Sequence, residues 1–294
     1  MESKNNRRVT RLPHWMKIKY SGGESFLKIK RLTEQSKLNT ICVSGKCPNL
    51  GECWNAGHAT FMILGNICTR SCKFCGTLTG RPLPPDPEEP SRLAESVKKL
   101  KLKHCVITSV DRDDLQDKGA SFWAEVIWKV KEINQNVTIE TLIPDFDGHQ
   151  EYLDMIIEAG PEIISHNLET VRRLTPLIRS AAKYDRSLSV LKYLTSKGAV
   201  TKSGIMLGLG ESHTEILETM DDLLNAGCRI MTLGQYLQPS LEHMEIKEFI
   251  HPDKFNEYRE KGLEKGFEFV ESGPLVRTSY KAEKHVKILN KSIQ

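Results

Sequence analysis

The sequence has no run of about 18 apolar residues, which excludes a membrane-spanning helix. Its first stretch, MESKNNRRVTRLPHWMKIKY, lacks the continuous apolar core of a secretory signal, so a cytoplasmic protein is expected. Internal repeats and long low-complexity tracts are missing too. Charge of one sign is scarce: 42 basic against 38 acidic residues leave only +4. The first 13 residues hold +3 of this (Lys4, Arg7, Arg8 and Arg11 against Glu2), and the last 14 hold another +3. The body is left at about −2, which argues against a globally basic nucleic-acid-binding protein. The basic tails read either as solvated termini or as docking elements for an acidic partner. Eight cysteines in 294 residues are too few for a disulfide scaffold.

What is present is a globular composition, 39% hydrophobic and 27% charged. Five prolines interrupt Arg81–Pro90, RPLPPDPEEP, and make it a stiff connector that cannot be helix or central strand. Beyond it the pattern alternates. Apolar, β-branched segments at 60–64, 104–110, 137–143, 162–168, 202–209 and 229–236 read as strands. Helical spacing fills the intervals at 91–101 (with Ser91 as N-cap), 120–133, 150–158, 187–197 and 214–225. Such alternation implies a parallel sheet covered by helices, and both a doubly wound sheet and a TIM-like barrel satisfy it. Six units are too few for a complete eightfold barrel, so an α/β fold with a partial, open TIM-like (β/α)6 barrel is expected.

Six of the eight cysteines fall between Cys42 and Cys75. Cys68-Thr-Arg-Ser-Cys72-Lys-Phe-Cys75 is a C-x3-C-x2-C loop directly after the first expected strand. Three thiolates on one loop hold three irons of a [4Fe–4S] cluster and leave the fourth open to another ligand. Zinc is the competing occupant, but structural zinc sites want four ligands, usually in paired C-x2-C units. The earlier triple, Cys42, Cys47 and Cys53, has C-x4-C-x5-C spacing and is again one ligand short. Alone it is the weaker signal, with scattered structural cysteines as its rival. Cys105 and Cys228 sit in apolar strands and read as core residues.

On these residues the chain resembles the radical S-adenosylmethionine superfamily, and the joint presence of both triples resembles the lipoyl synthase family within it. The similarity runs from about Leu12 to Ala282 through CPNLGECW (47–54), ATFMILGNICTRSCKFC (59–75) and TSVDRDDLQDKGA (108–120). It continues through SHNLETVRRL (165–174), KSGIMLGLGE (202–211), GQYLQPS (234–240) and SGPLVRTSY (272–280). The resemblance implies two [4Fe–4S] clusters. One, on Cys68, Cys72 and Cys75, binds S-adenosylmethionine. The other, on Cys42, Cys47 and Cys53, is completed by Ser279 of Arg277-Thr278-Ser279-Tyr280. Read by itself Ser279 is an ordinary serine. Thr278 departs from the family serine, and Val43-Ser44 and Lys73 from its usual acidic and proline residues.

The resemblance also implies contacts to S-adenosylmethionine from Phe74, Asn167, Glu169 and Met206. Asn167 and Glu169 read equally as helix caps, Met206 equally as a buried strand residue, and Arg179 matches a family position without an evident role. The implied activity is radical insertion of two sulfur atoms, at C6 and C8 of a protein-bound octanoyl-lysine, with the second cluster consumed as sulfur donor. Implied partners are octanoylated lipoyl-carrier domains or a glycine-cleavage H protein, a reductant such as flavodoxin or ferredoxin, and iron–sulfur assembly proteins, with no nucleic acid and no membrane. The implied division is an N-terminal extension (1–58), a barrel core (59–250) and a C-terminal extension (251–294). Rivals are another sulfur-inserting radical enzyme and a non-enzymatic iron–sulfur electron carrier.

Overall fold

A computed structural model describes residues 11–17, 22–179 and 181–291. The reading of the basic tails falls largely on residues 1–10 and the last few residues, outside those described. Among the described residues the main sheet has eight strands: β1 (Asn39–Thr40), β2 (Thr60–Ile63), β5 (His104–Ser109), β6 (Thr138–Leu142), β7 (Ile163–Ser165), β8 (Thr201–Leu207), β9 (Ile230–Gln235) and β10 (Phe269–Gly273). They lie in this order; β1 is antiparallel to β2 and all the others run parallel. A separate parallel pair, β3 (Ile67–Cys68) with β4 (Leu78–Thr79), closes the base of the second cysteine loop. Among the described residues nothing pairs β10 back to β1 or β2, so the barrel is open.

A helix of ten or more residues crosses between each pair of successive parallel strands, at Glu89–Leu100, Ala120–Ile133, Gln150–Ala159, Tyr184–Ser196, His213–Asn225 and Pro252–Lys265, and a short one, Thr175–Ile178, precedes the fourth of these. Their ends follow local chemistry. Ser212 caps its helix by accepting from the Glu215 amide, while the Glu215 carboxylate accepts from the Ser212 amide. Gly160, at φ 72°, stops another in a conformation that costs a Cβ-bearing residue more.

Strand parity separates the two faces of the sheet. Cys105, Ile107, Ile139, Ile205, Met231 and Leu233 point outward into apolar clusters with helix residues such as Trp123, Ile127, Ile156 and Leu223. The alternate positions Leu142, Gly204, Met206, Thr232 and Gly234 face a cavity inside. Cys105 and Cys228 are buried, as core cysteines should be, but only Cys105 lies in a strand; Cys228 sits just ahead of β9.

Two features differ from the sequence expectation. The helix after the proline connector starts at Glu89, capped at Glu88 rather than Ser91, with Pro90 in its first turn. Proline fits there because first-turn amides have no intrahelical partner to lose. The sheet also carries one parallel strand more than the six expected: β10 extends it past residue 250. No helix among the described residues is long and apolar enough to cross a membrane.

Candidate active site

The inner face opens on a cavity of about 570 Å³ at the C-terminal ends of the strands, where β/α barrels gather reactive groups. Cys42 and Cys47 border it on one side and Phe74 and Cys75 on another. Asn167, Glu169, Met206 and Ser279 complete its wall. The structure thus collects around one space residues that the sequence spreads over more than two hundred positions.

The second triple sits on a loop held at both edges. Cys68 Sγ accepts from the amides of Arg70 (3.4 Å) and Asp111 (3.3 Å). Arg70 itself is nearly buried and binds Asp113 in a fork at 2.7 and 2.8 Å, with Asp145 at 2.8 Å from its other nitrogen. On the far edge, His243 Nε2 donates to the Cys75 carbonyl (2.9 Å) and the Met244 amide to that of Lys73 (2.8 Å). Burial pushes the Cys68 and Cys72 thiols up to about 12; Asp111 adds to this at Cys68, while Arg179 works against it at Cys72.

The first triple spans two short helices, Ile41–Ser44 and Leu50–Asn55. Thr40 caps the first by accepting from the Val43 amide (3.4 Å). Cys42, Cys47 and Cys53 meet Arg277 and Ser279 around a smaller space of about 30 Å³. The C-terminal segment is fastened there by Asn49 Nδ2 donating to the Leu275 carbonyl (2.6 Å) and by the Tyr280 hydroxyl donating to Glu52 (2.9 Å). Burial, and next the charge of Cys47, raise Cys42 to about 11 and Cys53 to about 12.

Among the described residues, no three His, Cys, Asp or Glu side chains converge as around a single metal ion. The recurring donor set is three buried or half-buried thiols, with Cys47 raising Cys42 and Cys53, and Cys75 raising Cys68 and Cys72. Soft iron–sulfur clusters take thiolate donors of this type, and binding a cationic body relieves that repulsion. The residues fit the group.

Between the triples runs a polar seam. Asn167 Nδ2 donates to Glu169 Oε1 (3.1 Å) and to Thr278 Oγ1 (2.8 Å). Glu169 adopts φ 69° and bridges to β8: its amide donates to the Gly204 carbonyl and its carbonyl accepts from Met206. Burial raises its carboxyl above the ordinary range, with Arg179 opposing. Arg179 donates to the Asn167 carbonyl (2.9 Å), which gives this residue the role its sequence context withheld: it braces the strand end. Glu211 caps the loop after β8 by accepting from the Gly208 and Leu209 amides, both at 3.0 Å.

Sequence reasoning gave no role to Arg277, Arg70 or Asp111. Arg277 lies between Cys47 and Glu169, and burial pulls its guanidinium below its ordinary value. No spacing signal marks these three; their partners come from distant loops.

A model of the radical SAM superfamily matches residues 62–223. The chain is 62% identical to a lipoyl synthase of Treponema denticola, over 94% of this chain and 95% of that protein. It is 58% identical to one of Parabacteroides distasonis (94% and 98%) and 56% to one of Bacteroides fragilis (98% and 99%). Among solved structures, methylornithine synthase superposes with a TM-score of 0.51 at 14% identity, over 88% of this chain and 82% of that one. HydG, a maturase of the [FeFe]-hydrogenase, gives 0.53 at 13%, over 89% and 63%. These two share the fold. The chain belongs to the radical S-adenosylmethionine superfamily and, within it, to the lipoyl synthases, radical sulfurtransferases that use S-adenosylmethionine and [4Fe–4S] clusters.

Proposed function

We propose that Cys68, Cys72 and Cys75 hold the cluster that receives S-adenosylmethionine, and that Cys42, Cys47, Cys53 and Ser279 hold a second, sacrificial one. The observation that supports this reading is that one cavity is bordered by members of both triples, Cys42 and Cys47 of the first and Cys75 of the second, together with Asn167, Glu169 and Met206. With clusters and S-adenosylmethionine bound, the site supplies a carbon-centred radical that removes hydrogen from unactivated C–H bonds, and sulfur to replace it.

The chain's own residues position the reactants. Phe74 and Met206 offer apolar surface to the adenosyl group, while Asn167 and Glu169 offer acceptors to the ribose hydroxyls and to the ammonium group of the methionine moiety. The Arg70 network and the His243 and Met244 contacts keep the Cys68 loop in place. A hydroxyl at Ser279 is a poorer iron ligand than thiolate, which suits a site that must release its contents. The apolar walls exclude water, which would quench or divert a radical.

The substrate class is an octanoyl group on a lysine of a lipoyl-carrier domain, to which two sulfurs are added at C6 and C8. Glycine-cleavage H protein is one such carrier, flavodoxin or ferredoxin supplies electrons, and iron–sulfur assembly proteins rebuild the consumed cluster. All of this takes place in the cytoplasm. We divide the chain into the extension that brings the first triple (1–58), the radical-forming core (59–250) and the segment that closes the second site (251–294). Anaerobic reconstitution should load about eight irons, as two four-iron clusters. Mass spectrometry of an octanoylated carrier after incubation should show two added sulfurs. One zinc without labile sulfide, or a carrier that gains no sulfur, would overturn the reading.

A further inference from the structure

Asn167 is buried, and its side-chain nitrogen is fully engaged: it donates to Glu169 at 3.1 Å and to Thr278 Oγ1 at 2.8 Å, across 111 residues of sequence. The other end of the amide is bare. Asn167 Oδ1 is buried with no hydrogen-bond partner among the described residues. An unpaired buried acceptor is costly, so its presence in a cavity wall calls for an incoming donor. Gly204 keeps the approach clear, since a Cβ there would stand 3.2 Å from Oδ1 and 2.3 Å from Thr232 Oγ1.

A carboxamide is nearly symmetric in shape, and a half-turn about χ2 exchanges its oxygen with its nitrogen. The Glu169 carboxylate, which accepts, sets which end faces the cavity, and Thr278 Oγ1, accepting the second N–H, holds the amide plane in that orientation. The branched Thr278 side chain has fewer χ1 states than serine and therefore holds its hydroxyl more firmly.

We propose that Thr278 is a positioning residue for S-adenosylmethionine. It fixes the amide of Asn167 so that Oδ1 accepts a hydrogen bond from a hydroxyl or ammonium group of the bound cofactor. This rests on the reading of Asn167 as a cofactor contact. Because Thr278 precedes Ser279, a single turn of chain serves both halves of the site. Cofactor affinity therefore depends on the C-terminal segment being docked.

The test is equilibrium dialysis of S-adenosylmethionine against anaerobically reconstituted protein without reductant, so that binding is read apart from turnover. Thr278→Val, which keeps the shape and loses the acceptor, should weaken binding about five-fold. Thr278→Ser should stay within about two-fold of the unaltered protein, and both variants should retain the full iron content. Asn167→Ala tests the underlying reading and should weaken binding about ten-fold or more. Unchanged affinity in Asn167→Ala would overturn the assignment of Asn167 and the proposal with it. If Asn167→Ala weakens binding but Thr278→Val does not, the proposal alone falls. It falls likewise if valine and serine weaken binding equally, or if Thr278→Val sheds iron.

Discussion

Gly234 lies on the inner face of β9, directly beneath the returning C-terminal segment. A Cβ at this position would stand 2.0 Å from the Val276 carbonyl oxygen, and backbone cannot yield as a side-chain tip can. Gly234→Ala should therefore lift residues 275–280 away from the first triple. The expected result is about 1–3 kcal/mol lost in denaturant unfolding and about half the iron lost on reconstitution, with the Cys68 loop still loaded. Nothing in the spacing around Gly234 or Thr278 gives their roles, because each is defined by a partner far along the chain; Thr278 is marked only as a departure from the family serine. The cysteines stand out as candidate ligands because each triple lies within a dozen residues and so leaves a spacing. Ser279 left none; it is readable through resemblance alone.

The Cys68 loop depends at the level of the element on one guanidinium. Arg70 ties β3 to the segments after β5 and β6 through Asp113 and Asp145. Burial would raise Asp145, but Arg70 outweighs it and holds the carboxyl down at about 2. Arg70→Met would leave that carboxylate buried without its main counter-charge. It should cost about 3–5 kcal/mol in urea unfolding, and Asp145→Asn placed on top should restore part of the loss. The six strands and five helices expected between 60 and 236 were readable to within a few residues, because each has a dense apolar face at one period; the two-residue strands β3 and β4 and the short helix Thr175–Ile178 were not. The helix Pro252–Lys265 and β10 were not. Among the helix's fourteen residues only Phe255, Tyr258 and Gly262 are buried, too few to print a periodic stripe. β10 has one buried residue, Val270, in five.

Across the whole molecule, buried polar groups set the dependence on pH. Inside the barrel Lys202 Nζ donates to Glu140 at 2.6 Å and meets His285 at 3.0 Å. Burial would raise Glu140, yet Lys202 and His285 hold it at about 2, below the usual 4.5. That contribution is complete above pH 4.5 and is lost as pH falls towards 2. His166 acts earlier. Its Nδ1 donates to the Ile143 carbonyl and its Nε2 accepts from Ser187, both at 2.9 Å, which requires the neutral ring. Burial lowers it from 6.5 to about 4, so its contribution is present above pH 6.5 and is lost as pH falls through that window. The unfolding free energy should drop by about 2 kcal/mol between pH 7 and pH 5 on this account. In His166→Gln most of that slope should vanish, and an unchanged slope would contradict the assignment.

The docking of Tyr280 on Glu52 joins points 228 residues apart. At about 5–20 residues per second, a ribosome completes the closing segment on the order of ten to fifty seconds after the first triple. During that interval Cys42, Cys47 and Cys53 have no Ser279 to meet. On the proposed reading, the three cysteines can meet Ser279 only once residue 279 has been made, so a cluster held by all four residues is assembled late relative to the synthesis of its first ligands.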